Sequence, residues 1–198
     1  MNYLAHAYLS FNNPPILVGN MISDYVKGKT QFDYPLQIQY GIQLHRAIDT
    51  FTDSHESTRV IKKLFAPTYR LYAGAFTDVV YDYFLANDKN EFKSDEVLAN
   101  LCQNTYSILQ ENKQHFPQKF LTMFPYMVTH NWLYNYQFDW GMQKSLQGLV
   151  RRSAYLTESD TAYEIFLQNK DVIQELYNLY FPQLKAFTQK RLAQFLKP

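Results

Sequence analysis

One stretch of the chain, Gly74-Ala75-Phe76-Thr77-Asp78-Val79-Val80-Tyr81-Asp82-Tyr83-Phe84-Leu85, is apolar on almost every side when it is wound as a helix. Such a helix is stable only when other elements enclose it, so the rest of the chain must wrap around it. Its two charged residues, Asp78 and Asp82, lie four apart and project from one side, roughly 40° from each other. Carboxylates buried there require compensation by a metal, an arginine or a dense set of donors.

Elsewhere helical spacing dominates, and no strand-like alternation of useful length occurs. With 6 glycines and no Asn-Gly or Asp-Gly pair, hairpin signals are missing. A first short segment ends at Asn13-Pro14-Pro15, and a second helix runs from about Ile16 to Gly28. A third spans about Pro35 to Asp53, with proline at its first turn, where no N–H is needed. Asp53-Ser54-His55-Glu56 marks a break and a fresh start, and Pro67 marks the next joint.

Ser94-Asp95-Glu96 opens another helix, with acids in the first turn favoured by the helix dipole. That helix ends before Phe116-Pro117. The next covers roughly Gln118 to Tyr134, where Pro125 should kink or split it. Asp139 starts a helix ending near Arg151-Arg152, Thr157-Glu158-Ser159-Asp160 resembles a capping box, and Pro182 interrupts the final helical stretch. The expected fold is a single compact all-α domain over residues 1–198, without repeat or linker. The 198 residues suffice for a sizeable core, and a hydrophobic content of 46% argues against disorder.

A net charge of +1 argues against a general nucleic-acid binder, which carries a basic excess. The single cysteine, Cys102, excludes an internal disulfide and a cysteine metal cluster. It suits a reducing cytoplasm and reads as a small buried hydrophobe. No membrane partner is expected: no apolar stretch is long enough to cross a bilayer, and the first residues lack signal-peptide features.

Several polar residues fall at helical spacing. His45, Asp49 and Asp53 follow i, i+4, i+8, so one turn of helix brings a carboxylate to an imidazole and can fix its tautomer. Asn20 and Asp24 form a further i, i+4 pair. His6 stands among apolar residues, a pattern that alone more often marks a hydrogen-bonded core histidine than a ligand. His55 and His115 read as surface or cap residues, and His130 as core ahead of a supporting place behind the ligands. Together His6, Asp24, His45, Asp49, Asp78 and Asp82 offer oxygen and imidazole ligands without thiolate, a set suited to Mn²⁺, Mg²⁺ or Fe²⁺. Helix bundles build such sites from inward-facing residues of neighbouring helices. The alternative is a buried ion-pair network in which Arg46 neutralises the acids. No phosphate-binding glycine loop, nucleophile elbow or dinucleotide fingerprint is present.

Read in order, Asn2-Tyr3-Leu4-Ala5-His6, Gly19-Asn20 with Asp24 and Lys27-Gly28, Gly41-Ile42 with His45-Arg46, Ile48-Asp49 and Phe51-Thr52-Asp53, then Asp78 with Asp82 and Phe84-Leu85, resemble the acyl carrier protein phosphodiesterase family. The similarity extends through Trp132, Tyr136, Gly141 and Arg151-Arg152. It implies an all-α fold distantly related to HD-type phosphohydrolases. It also implies a cytoplasmic, divalent-metal-dependent hydrolase, usually of manganese, that removes 4′-phosphopantetheine from holo acyl carrier protein. His6, Asp24, His45, Asp78 and Asp82 are then the expected metal ligands, and Arg46, Asp49 and Asp82 the expected catalytic residues, Arg46 as a phosphate clamp. Tyr83 departs from the family pattern, which usually places histidine there; a phenol can still donate a hydrogen bond to phosphate.

Acyl carrier proteins are acidic, so the basic residues Lys27, Lys29, Arg59, Lys62, Lys63, Arg151 and Arg152 are candidates for a partner surface. Two other readings keep part of this pattern. One is a metal-dependent phosphohydrolase of nucleotides or small phosphoesters. The other is a helical protein that binds carrier protein with weakened catalysis.

Overall fold

The computed structural model describes residues 2–196; Met1, Lys197 and Pro198 lie outside the described residues. Among these the regular structure is entirely helical: α1 (Tyr3–Tyr8), α2 (Pro14–Ile22), α3 (Leu36–Ser54), α4 (Glu56–Tyr69), α5 (Ala73–Ala86), α6 (Asp95–Glu111), α7 (Gln118–Thr129), α8 (Trp132–Asn135), α9 (Asp139–Arg152), α10 (Asp160–Gln168) and α11 (Lys170–Phe195), with short 3₁₀ turns between some of them.

The apolar helix of the sequence is α5, and it sits inside the fold. Phe76, Val80, Tyr81, Asp82 and Leu85 are fully buried, and α1, α4, α9 and α11 all pack against it. Its tyrosine and phenylalanine rings join a continuous aromatic core: Tyr81 stacks on Tyr180 at 4.5 Å, and Phe84 on Tyr177 at 5.8 Å. Tyr81 donates or accepts at Thr58, and Tyr180 at Thr52, so each buried hydroxyl has a partner.

The tightest crossing joins α2 to α3. Gly19 and Gly41 face each other there. A Cβ on Gly19 would lie 2.1 Å from the carbonyl oxygen of Ile38, and one on Gly41 would lie 2.3 Å from that of Ile16. Two backbones can approach this closely only where both side chains are missing. The crossing sets Asn20, next to Gly19, against His45, one turn beyond Gly41.

Several boundaries differ from the sequence reading. The segment expected from Ile16 to Gly28 is helical only to Ile22; a 3₁₀ turn, Ser23–Tyr25, follows, and the chain is extended at Val26 and Lys27. Pro67 lies inside α4, and the joint falls at Arg70, whose φ of 48° turns the chain. Pro125 does not split α7. The break comes at Asn131, in the left-handed region with φ of 44°, a conformation asparagine tolerates better than most residues. Pro182 lies within an uninterrupted α11. At α10 it is Glu158, not a Thr157 capping box, that accepts from the Thr161 N–H at 3.0 Å. His130 is exposed rather than core.

Other signals hold. α3 ends at Ser54, and His55 caps α4 by accepting from the Ser57 N–H at 3.2 Å. Ser94 caps α6. Cys102 is a free, buried thiol, and burial pushes it up to about 12. No helix among the described residues is long and apolar enough to cross a membrane.

Candidate metal centre

α1 is six residues long, too short to hold itself together in water. Its first-turn N–H groups are taken by α5: Leu4 N–H donates to Asp82 Oδ2 at 2.8 Å, and Ala5 N–H to Asp82 Oδ1 at 3.2 Å. A buried carboxylate thus receives the positive end of a short helix, which satisfies donors that would otherwise be orphaned. This is the dense set of donors that the apolar helix required opposite its acid. Burial nevertheless outweighs those bonds and lifts the Asp82 carboxyl to about 7.

With α1 fixed, His6 points inward, 3% exposed. Its Nδ1 lies 2.8 Å from Asn20 Oδ1, while Asn20 Nδ2 donates to the His6 carbonyl at 2.8 Å and to Ser10 Oγ at 3.1 Å. On α3, His45 Nδ1 lies 2.7 Å from the Asn20 carbonyl. Both Nδ1 atoms face oxygen acceptors, so both carry the proton there and leave Nε2 for other work. One residue, Asn20, therefore orients both imidazoles, through its side chain and through its backbone. The rings stack at 3.9 Å, 13° from parallel.

Both Nε2 atoms turn toward Asp49. His6 Nε2 is 3.3 Å from Asp49 Oδ1, and His45 Nε2 is 3.0 Å from Asp49 Oδ2 and 3.2 Å from Asp24 Oδ1. His6 Nε2 is buried yet makes no hydrogen bond of good geometry. Ligand atoms of His6, His45 and Asp49 all lie within 4.8 Å of one another. Two ligand atoms at right angles, each about 2.1 Å from an ion, are about 3 Å apart, so the observed spacings suit a shared cation. The side chains of Asp49 and Asp24, 40% and 65% exposed, leave the group open on one side.

Charge is arranged to match. Burial, and next the neighbouring His45, hold His6 down at about 4, so it is neutral. Burial opposes charge on His45 too, but hydrogen bonds to Asp24 and Asp49 outweigh it and raise the imidazole to about 9. For Asp49 burial is again overcome, here chiefly by the hydrogen bond from His45, and its carboxyl sits well below the usual range. The hydrogen bond from His45 lowers Asp24 as well.

Of the residues expected in the site, His6, His45, Asp49 and Asp24 come together. Asp82 stands apart, with both oxygens engaged by the start of α1. Asp78 lies half-buried one turn earlier on α5; burial raises its carboxyl, and the charges of Asp49 and Asp53 push it further in the same direction. Asp53 itself pairs with Lys62 at 2.6 Å. Arg46 does not neutralise the acids: its guanidinium donates to Gln31 Oε1 at 2.7 Å and to the Val26 carbonyl at 3.2 Å. Tyr83 turns to the other side of α5, donating to Asp139 Oδ1 at 3.0 Å and accepting from Lys170 Nζ at 2.7 Å.

The residue that sequence reasoning undervalued is Asn20. Its signal was present: a lone amide beside a glycine in the otherwise apolar run from Ile16 to Ile22. A fully buried amide there must find partners, and its partners are His6 and Ser10, while the Asn20 backbone carbonyl meets His45.

The chain matches the family described as acyl carrier protein phosphodiesterase over residues 1–184. Proteins of that name include one from Yersinia pestis, 27% identical over 191 residues that cover 96% of this chain and 99% of the relative. Another, from Klebsiella pneumoniae (strain 342), is 28% identical over 195 residues, with the same coverage of 96% and 99%. A third, from Photorhabdus laumondii, is 26% identical over 184 residues, 93% of each chain. No solved structure matches. The chain belongs to the acyl carrier protein phosphodiesterase family.

Proposed function

We propose that this chain is a cytoplasmic phosphodiester hydrolase that uses a divalent ion, manganese first, to release 4′-phosphopantetheine from holo acyl carrier protein. The observation that carries the reading is the convergence of two Nε2 atoms, each with its Nδ1 held by Asn20, on the carboxylate of Asp49. The spacing of these nitrogens and the carboxylate fits one shared cation. The oxygen and imidazole donors suit manganese, magnesium or ferrous iron.

His6, His45 and Asp49 would hold the ion, with Asp24 at its open edge. When bound, the ion supplies an acidified water and neutralises charge on the phosphoryl oxygens. Holding it requires His45 to give up its Nε2 proton, which Asp24 and Asp49 otherwise retain there. In the overall reaction water adds to phosphorus, the bond from phosphorus to the serine oxygen breaks, and that oxygen takes up the proton which water loses. Asp24, the most exposed acid of the group, is placed to carry that proton. Asp78 lends a further acid near Asp49. Asp82 acts at one remove, by holding the helix that carries His6.

The test is release of phosphopantetheine from holo carrier protein by the purified chain, with manganese and with EDTA, beside a panel of nucleotides. Turnover of the carrier protein that EDTA stops and manganese restores is the expected result. Hydrolysis confined to nucleotides, or equal turnover with and without EDTA, would overturn the assignment.

A further inference from the structure

A cavity of 710 Å³ opens where α7, α8 and α9 meet the start of α1, a size that suits a small organic ligand. Its shape is fixed by the backbone. Asn131 turns the chain between α7 and α8, and Gly141 lets α9 pass so close to α8 that a Cβ would lie 1.9 Å from the Asn135 carbonyl oxygen. Tyr126, Trp132 and Trp140 supply aromatic walls, and Asn2, Asn131 and Gln147 supply amides. Lys144, Arg151 and Arg152 line it too, while no carboxylate does. Among the described residues these three cations form no ion pair, in contrast to Arg59 and Lys62, which pair with Glu56 and Asp53.

One side chain lines the cavity and also touches a neighbour of the metal centre. Tyr3 lines it, and the Tyr3 hydroxyl lies 2.9 Å from that of Tyr25, the residue after Asp24. Tyr3 is also one turn before His6 on α1.

We propose that this cavity binds an extended, amide-bearing chain that ends in a phosphate: the phosphopantetheine arm of the substrate. The assignment rests on the hydrolase reading for the identity of the arm. The aromatic walls take its aliphatic portions and the amide side chains pair with its peptide-like bonds. The unpaired cations draw its phosphate end, since guanidinium matches phosphate geometry.

The chain has only two tryptophans, and both Trp132 and Trp140 line this cavity, so intrinsic fluorescence reports its occupancy. Free 4′-phosphopantetheine and phosphate-free pantetheine are titrated into EDTA-stripped parent protein and into His45→Ala. A saturable emission change is expected in both proteins, with the phosphate-bearing ligand tighter by about tenfold. Arg151→Glu combined with Arg152→Glu should weaken phosphopantetheine by about tenfold and pantetheine by less than about threefold. A Cβ at helical Gly148 meets only the flexible end of Arg152 at 3.7 Å, so Gly148→Leu keeps the fold and narrows the cavity. It should raise KM for holo carrier protein by about tenfold with kcat little changed.

No saturable tryptophan response, or a Gly148→Leu protein with parental KM and parental arm binding, overturns the proposal while leaving carrier-protein turnover as the separate measure of hydrolysis. Tight arm binding in a protein that never hydrolyses holo carrier protein would sink the hydrolase reading and leave the cavity standing.

Discussion

Two sets of acids meet α1, Asp82 at its start and Asp49 with Asp24 beyond His6 and His45, and the chain uses them differently. On α5, Asp82 is sealed from water and both its oxygens accept N–H groups of α1. On α3 and the turn after α2, Asp49 and Asp24 meet imidazole nitrogens instead and keep one side open to solvent. A carboxylate sealed from water with both oxygens on backbone donors builds structure. One that meets imidazole nitrogens at ion-ligand spacing, with an open edge, can bind and react. The two are joined in series, since the structural acid places the helix from which His6 reaches the working one.

The largest effect is expected at Asp49. Asp49→Asn keeps the shape and removes the charge that both imidazoles face. Because a metal centre contributes several kcal/mol of transition-state stabilisation, turnover on holo carrier protein should fall on the order of a thousandfold. Circular dichroism should stay that of the parent. Residual turnover above about a tenth of the parent would place the working cluster elsewhere.

Asp82 should behave in the opposite way, changing stability first and turnover second. Its folded carboxyl is raised from an ordinary 3.8 to about 7. A raised acid contributes stability that is fully present below 3.8 and is lost as pH climbs through about 7, because the folded state then holds the proton that the unfolded state has released. The full span corresponds to roughly 4 kcal/mol. Asp82→Asn cannot titrate, so the stability gap between parent and variant should shrink between about pH 4 and about pH 7 in urea melts. A gap that widens with pH would mean that the α1 amides dominate over burial. Loss of turnover in a folded Asp82→Asn protein, with α1 in place by amide exchange, would move Asp82 into the working group.

Much of this division could be read from the chain, and the rest could not for physical reasons. The enclosed helix was legible because Val79, Val80, Tyr81, Phe84 and Leu85 leave no polar face. His45 with Asp49 was legible because four residues of helix fix their separation. Helix ends at prolines were misread: Pro67, Pro125 and Pro182 all sit inside helices, while the chain turns at Arg70 and Asn131 through positive φ. Local spacing also placed Asp82 and Asp78 on one face but could not say what lay opposite, because the donors come from α1, some eighty residues earlier in the chain. Asn20 was undervalued for the same reason, since its partners are on α1 and α3.

Asn20 offers a prediction of middle size. It touches no proposed ligand position of the ion itself, but it fixes both Nδ1 atoms. Partners of this kind typically matter by about 10- to 100-fold in metal affinity or activity. Asn20→Ala should therefore weaken manganese binding by about that factor in calorimetry. Because it also strands the buried Nδ1 of His6, while Ser10 Oγ and the His6 carbonyl keep each other as partners, stability should drop by about 1–3 kcal/mol. Asn20→Asp, which retains an acceptor for His6 Nδ1, should recover part of the metal affinity. If Asn20→Ala, which keeps the backbone carbonyl that meets His45, binds manganese as tightly as the parent, the His6 imidazole is held by packing alone.

The smallest effect is expected at Arg46, the residue on which the two kinds of role are hardest to separate by position. It follows His45 in sequence, yet helical geometry turns it roughly 100° away, and its donors go to Gln31 and Val26, which tie the turn after α2 to α3. The side chain is exposed, and exposed polar ties of this kind contribute about 1 kcal/mol or less. Arg46→Ala should accordingly change kcat/KM by less than about fivefold and leave manganese binding untouched. A phosphate clamp would behave otherwise. Its loss would lower turnover by about a hundredfold, and Arg46→Lys would fail to restore it, because a point charge lacks the planar fork that grips two phosphoryl oxygens at once. A large loss in Arg46→Ala that lysine does not repair would place the guanidinium with His45 and Asp49 rather than with the loop it now braces.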